Sequence, residues 1–194
     1  MTVKVFESNG KAVLDSPYHP DLPHKAKSLG GRFNGSDKSW SFDARDIERV
    51  RDMARAVYGT IDGDDTSNLV TVRVQINNNR DATNPLWMFG RLIAERRYRD
   101  SDVRFGDGVV VTDGHFAPSG GSSKYPSLFG NSSFTQPDTV TVEVRDVPRS
   151  LIDSDDDRIT IVGQAAGQLD ALNARREALV KELADIDAQI AELS

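Results

Sequence analysis

Apolar and polar positions alternate from the start of the chain. TVKVF at residues 2–6 and KAVL at 11–14 both have strand periodicity, and Ser8-Asn9-Gly10 between them carries the signature of a tight hairpin turn. Pro17, Pro20 and Pro23 punctuate a loop that leads into a predicted helix near residues 21–29. Leu22, Ala26 and Leu29 recur there at helical spacing, and Gly30 stands where a left-handed cap ends a helix. A second hairpin is predicted over 31–34 and 38–42, around Asn34-Gly35-Ser36-Asp37, with Phe33, Trp40 and Phe42 as its apolar content. Trp40 and Phe42, two residues apart, share one strand face. Asp43 then caps a helix over 44–58, whose Ile47, Val50, Met53, Ala54 and Val57 form one stripe before Gly59. The predicted order is ββαββα within residues 1–59.

Beyond it, TIDGDDTSN at 60–68 has no apolar periodicity and reads as an acidic linker. LVTVRVQI at 69–76 and TVTVEVR at 139–145 alternate as strands, with further strands expected at 103–105, 108–112 and 158–163, the second continuing into His115-Phe116. PLWMFGRLIAERRY at 85–98 is predicted as a largely buried helix starting at Pro85. One helical turn is expected in DVPRSLI, and an acidic turn at 153–157. Residues 117–137 form a long Gly/Ser loop, a length that marks functional or disordered segments. In the last segment Leu169, Leu172, Arg176, Leu179, Leu183, Ile186, Ile190 and Leu193 repeat at spacings of 3, 4, 3, 4, 3, 4 and 3. That is a coiled-coil seam interrupted by Arg176. No second helix of matching length exists to cover it, so its partner is another copy or another protein, and self-association as a dimer or tetramer through 165–194 is the expectation. The expected fold class is α+β: a small ββαββα N-terminal domain, a linker at 60–68, a central mainly antiparallel α+β domain over 69–163 with one helix, and a C-terminal coiled-coil helix over 164–194.

Composition narrows the chemistry. The 194 residues include no cysteine, which excludes disulfides, thiolate metal sites and cysteine nucleophiles. No stretch approaches the roughly 18 apolar residues of a membrane span, and MTVKVFESNG lacks a signal-peptide core. A cytoplasmic, non-membrane protein is expected, in the host cytoplasm if phage-encoded. The net charge of −6 opposes bulk DNA binding, but it is unevenly spread. Residues 1–60 carry 10 basic and 8 acidic side chains, residues 61–163 carry 11 and 16, and residues 164–194 carry 3 and 6.

The least acidic third contains AKSLGGRFNGSDKSWSF at 26–42. This stretch resembles a small bacterial and phage module of the form AKxLGARWDxxxKxWYV, and more distantly the HARP domain of annealing helicases. The likeness covers about residues 3–59, with Phe33-Asn34 in place of the more usual Trp-Asp. It implies engagement of single-stranded or branched DNA, carried by the matching basic positions Lys25, Lys27, Arg32 and Lys38. From the residues themselves, those cations with Trp40 can track a phosphate backbone and stack a base, or Trp40 and Phe42 can serve as core beneath a solvated basic surface.

Other candidate chemistry is sparser. Ser119-Gly120-Gly121-Ser122-Ser123-Lys124 can converge N–H groups on an anion, though without Walker spacing. Gly120, Gly121, Lys124, Tyr125 and Phe129 are thus candidates for a partner or anion loop, the apolar members favouring a loop that folds against something. His19, His24 and His115 make no metal set, and Asp62, Asp64, Asp65 and residues 153–157 do not fit a calcium loop. No catalytic constellation, metal or cofactor is expected. The function expected is that of a non-enzymatic oligomeric accessory protein of phage or mobile-element type, acting on DNA or a DNA-bound protein. The alternative is a protein-binding inhibitor or scaffold, such as an anti-defence or host-takeover factor. Nucleotide capture by the glycine loop and a structural role in a particle stand behind both.

Overall fold

In the computed structural model, the described residues are 2–81, 83–130, 139–163, 175, 176 and 179. The chain divides into two compact units, residues 1–160 and 161–194. The first is mixed α and β, with antiparallel sheets and few helices.

Its N-terminal portion builds the ββαββα order. Strands β1 (Lys4–Ser8) and β2 (Lys11–Asp15) pair antiparallel. The turn places Asn9 and Gly10 at φ of 51° and 71°, the left-handed pair that a primed hairpin turn requires. Helix α1 (Leu22–Ser28) leads to β3 (Arg32–Asn34) and β4 (Ser39–Asp43), and the sheet order is β1-β2-β4-β3. The Asp43 side chain accepts from the Arg45 N–H at 3.0 Å, capping a short 3-10 turn that runs into helix α2 (Ile47–Tyr58). Gly59 closes α2 in the left-handed region, at φ 78°.

Register sets the core. Leu14 lies opposite Trp40 and Ala12 opposite Phe42, so all four side chains share the sheet face that α2 covers with Val50, Ala54 and Val57. All seven are buried. Residues 60–65 are not a free tether: Ile61 joins this core, the Asp62 N–H donates to the Val3 carbonyl at 2.7 Å, and Asp64 receives Arg55 at 2.8 Å.

In the central portion, β5 (Leu69–Asn77) pairs with β10 (Thr139–Pro148), aligning Val72 with Val144, Val74 with Val142 and Ile76 with Val140. All six are fully buried, which is why their period-two pattern is so regular. On the outward face Arg73 lies opposite Glu143 and bonds it at 2.8 Å. Strand β9 (Val109–Asp113) extends the sheet beside β10, and β11 (Ile159–Ile161) flanks β5, giving the order β11-β5-β10-β9. A partly buried ion-pair cluster precedes β11. Arg158 donates to both oxygens of Asp81, at 2.7 and 2.8 Å, and to Asp156 at 2.6 Å. One 3-10 turn, Arg149–Leu151, follows β10 as expected.

The helix predicted over 85–98 is absent. Instead β6 (Leu86–Met88) and β7 (Arg91–Glu95) form a hairpin, and β8 (Arg104–Phe105) completes a sheet in the order β6-β7-β8. Phe89 and Gly90, at φ of 54° and 68°, make its two-residue turn. A glycine mid-helix is disfavoured, whereas here Gly90 permits close approach: a Cβ on it would collide with the Val57 carbonyl. On a helix Arg91 and Arg96, five residues apart, would lie on different faces. Both are instead buried, and both bond backbone carbonyls. Residues 69–163 therefore contain no α-helix among those described, only sheets and one 3-10 turn. Nor does β9 reach His115-Phe116. Gly114, at φ 75°, turns the chain, and Phe116 packs on Phe105 and Phe129 with ring centroids 5.9 and 5.3 Å away.

Of the predicted coiled coil, Leu169, Leu172, Leu183, Ile186, Ile190 and Leu193 lie outside the described residues. Arg175, Arg176 and Leu179 are helical, and Leu179 is 51% exposed.

Candidate functional site

A cleft of about 630 Å³ opens between the proline loop, α1 and the β3–β4 hairpin. Leu22 and Trp40 form its buried floor. The proline loop is pinned from below: the Tyr58 hydroxyl donates to the Pro17 carbonyl at 2.7 Å and lies 3.2 Å from the Ser16 hydroxyl. Tyr18 consequently stands at the rim, 71% exposed, with its ring centroid 6.0 Å from that of Trp87. Phe33 reaches the same cleft from β3. It lies opposite Trp40 in the register, its ring 5.3 Å from the indole, yet it remains 55% exposed.

His19 supports the loop between these rings. It is buried edge-on against Trp87 and Tyr58, at 5.2 and 5.8 Å, and its Nδ1 accepts the Asp21 N–H at 3.2 Å. Burial lowers its pKa, against the pull of Asp21, so the ring is neutral at pH 7 and carries its proton on Nε2. That tautomer is inferred from the hydrogen bond at Nδ1.

Two of the four basic residues singled out from the sequence meet here. Lys27 projects from α1, and Lys38 sits in the β3–β4 turn with a left-handed backbone, φ 56°. The neighbouring Asp37 carboxylate is engaged by the Ser39 N–H and hydroxyl at 3.3 and 2.9 Å. Among the described residues, no Asp or Glu lines the cleft. Lys25 is half-buried and does not line it. Arg32 precedes Phe33 in the strand and therefore occupies the opposite sheet face, beside Ser41. The arginines of the following helical segment are neutralised locally: Arg45 by Asp43, Arg49 by Asp46, Arg51 by Glu48 and Arg55 by Asp64.

The chain matches no protein-family model, no curated protein and no solved structure. Among the described residues, no group of three or more His, Asp or Glu side chains is placed to hold a metal ion, and no helix is long and apolar enough to cross a membrane.

The glycine-rich loop has a different organisation from the cleft. Its anchor is Arg96, 1% exposed, whose guanidinium gives every N–H to a backbone carbonyl. Nε donates to Ser127 at 2.7 Å; Nη1 to Ser101 and to Pro118 at 3.1 Å; Nη2 to Ala117 at 2.5 Å and Leu128 at 3.1 Å. Burial lowers the Arg96 pKa, with Asp102 and Asp100 acting the other way. Asn84 completes the arrangement, taking the Arg96 N–H at 2.7 Å and donating to the carbonyls of Arg96 and Pro126 at 2.7 and 3.0 Å.

Within this loop Phe129 is buried beneath Phe116. The Gly120 N–H is donated to the Arg99 carbonyl at 2.9 Å, and the Ser122 N–H to the Tyr125 carbonyl at 2.8 Å, so neither points to an anion. Gly120 and Gly121 are required by crowding, since a Cβ on either would meet the facing strand of the loop. Tyr125 is 69% exposed, with the Lys124 ammonium 5.2 Å from its ring centroid.

Sequence reasoning does not single out Tyr18 or Arg96. For Tyr18 a signal exists: an aromatic residue between prolines, with no periodic neighbours to bury it. Arg96 offers none, because its carbonyl partners come from segments as far apart as residues 101 and 128.

Proposed function

We propose that this protein is a non-enzymatic, oligomeric accessory protein of phage or mobile-element type that engages DNA, or a protein bound to DNA, through its N-terminal module. The observation that carries this reading is the cleft: exposed aromatic rings and two lysines converge on a lining that, among the described residues, includes no carboxylate, on a chain whose net charge is −6. Cations beside exposed rings match a polymer of phosphates and flat bases. The resemblance of residues 26–42 to the HARP-like module points the same way. The C-terminal heptads provide the oligomer, supported by the exposure of Leu179, and linked copies raise the effective concentration of weak sites.

The four cations fall into two sets, inside and outside the cleft, which makes the proposal testable. Lys27→Glu with Lys38→Glu should abolish salt-dependent gel shifts of single-stranded or forked DNA, while Lys25→Glu with Arg32→Glu should weaken them far less. For every phosphate no longer neutralised, the slope of log affinity against log salt should shrink by about 0.7 on single strands. Equal effects from both pairs would reject the cleft as the DNA-binding face.

The protein-binding alternative finds less support. Of the apolar residues that made the loop attractive as a docking element, Phe129 is spent in the protein's own core, and Tyr125 alone of the two candidates stands exposed.

A further inference from the structure

Two large aromatic side chains stand at the rim of one cleft with more than half their surface in water: Tyr18 at 71% and Phe33 at 55% exposed. The fold holds both rings in water. Phe33 lies on the core face of its strand, but it is at the sheet edge beyond the reach of α2, and Tyr18 is raised by the hydrogen-bonded proline loop. Both rings are backed by an indole, Phe33 by Trp40 and Tyr18 by Trp87, which limits their motion without covering their outer faces. The cleft volume, about 630 Å³, lies within the range of small-molecule sites.

We infer that this cleft is a seat for one unstacked nucleotide, its base against Phe33 and Tyr18 and its phosphate on Lys27 and Lys38. The inference rests on the nucleic-acid reading above and adds to it the ligand unit and two stacking residues. The charge pattern favours an anion: the titratable groups lining the cleft are two lysines, a neutral histidine and a tyrosine phenol, with the Asp21 carboxylate 4.0 Å from the His19 Nδ1. The apolar rings require that the anion carry a flat unsaturated body. Bases in a duplex have their faces covered by their neighbours, so the site selects single strands, frayed ends or free nucleotides over paired DNA. Aromatic rings recognise any base by its π-face, so discrimination among bases is weak.

The test uses the full chain, a fluorescently labelled oligo-dT, an unlabelled blunt duplex of the same length and thymidine monophosphate as competitors. Single strand should bind well above duplex. Phe33→Ala and Tyr18→Ala should each weaken oligo-dT binding about 10-fold or more, with duplex affinity unchanged. Phe33→Trp should restore it, a result that loss of fold in the alanine variant cannot mimic. Competition by the monophosphate identifies a free nucleotide as a sufficient ligand; failure to compete while oligo-dT binds identifies the strand as its source. If duplex competes as well as single strand and Phe33→Ala changes nothing, the nucleotide seat is overturned while DNA engagement survives. If none of the three probes binds, both fall.

Discussion

Replacing Arg96 with methionine asks whether one buried guanidinium holds residues 117–128 in place. Methionine preserves most of the apolar stem but leaves five carbonyl oxygens without the donor they now share. A buried acceptor left unpaired costs about 1–3 kcal/mol. Simple addition would reach about 5–15 kcal/mol, the entire stability of an ordinary domain. Two effects reduce that figure. The substitution also removes the penalty of burying a charge, the same desolvation that lowers the Arg96 pKa. A loop bordered by exposed residues 122–125 can also shift enough to admit water to some of the carbonyls. A net loss of about 3–5 kcal/mol is expected, the cost of the two or three carbonyls that stay buried and unpaired. Arg96→Lys should fall between, since an ammonium keeps the charge but offers three donors rather than five. Urea unfolding followed by tryptophan fluorescence gives the magnitude, and limited proteolysis shows whether the loop opens first. A methionine variant within about 1 kcal/mol of the parent, with the loop still protected, would refute the anchoring role.

The hydrogen bond from Arg158 holds the Asp156 carboxyl at about 2, below its ordinary 3.8. A depressed carboxylate stabilises the fold fully above its unfolded pKa and loses that contribution as pH falls through the folded one. Urea midpoints should therefore drop between pH 4 and pH 2, and Asp156→Asn should flatten that drop; an unaltered slope in the variant would assign the acid sensitivity elsewhere. Ending the chain at residue 164 should lower the oligomer number measured by light scattering, and an unchanged number would show that residues 165–194 are not the oligomeriser.

The N-terminal module is legible from residues alone because each of its signals is local. Asn9-Gly10, Gly30, Asp43 and Gly59 state their turns and caps within a few positions, and Trp40 with Phe42 declare one face by being two apart. The valines of β5 and β10 are equally plain, since strands buried on one face must alternate. Residues 85–98 mislead because a cluster of Trp, Met, Phe, Leu and Ile has no period of its own. What decides between helix and hairpin there is Gly90, which must fit beneath the Val57 carbonyl, and two arginines whose partners lie on distant segments.

The site divides the same way. Sequence by itself determined the hairpin whose two strands carry Phe33 and Trp40, the helix that carries Lys27, and the excess of positive charge in the first third of the chain. It could not separate Lys27 and Lys38 from Lys25 and Arg32, because facing is a property of the folded sheet and helix rather than of residue type. Nor could it place Tyr18, whose position depends on a hydrogen bond from Tyr58 to the carbonyl of Pro17, 41 residues earlier. Local hydrogen bonding and side-chain period fix elements; the convergence of exposed rings and unopposed cations on one cleft is fixed only when those elements pack.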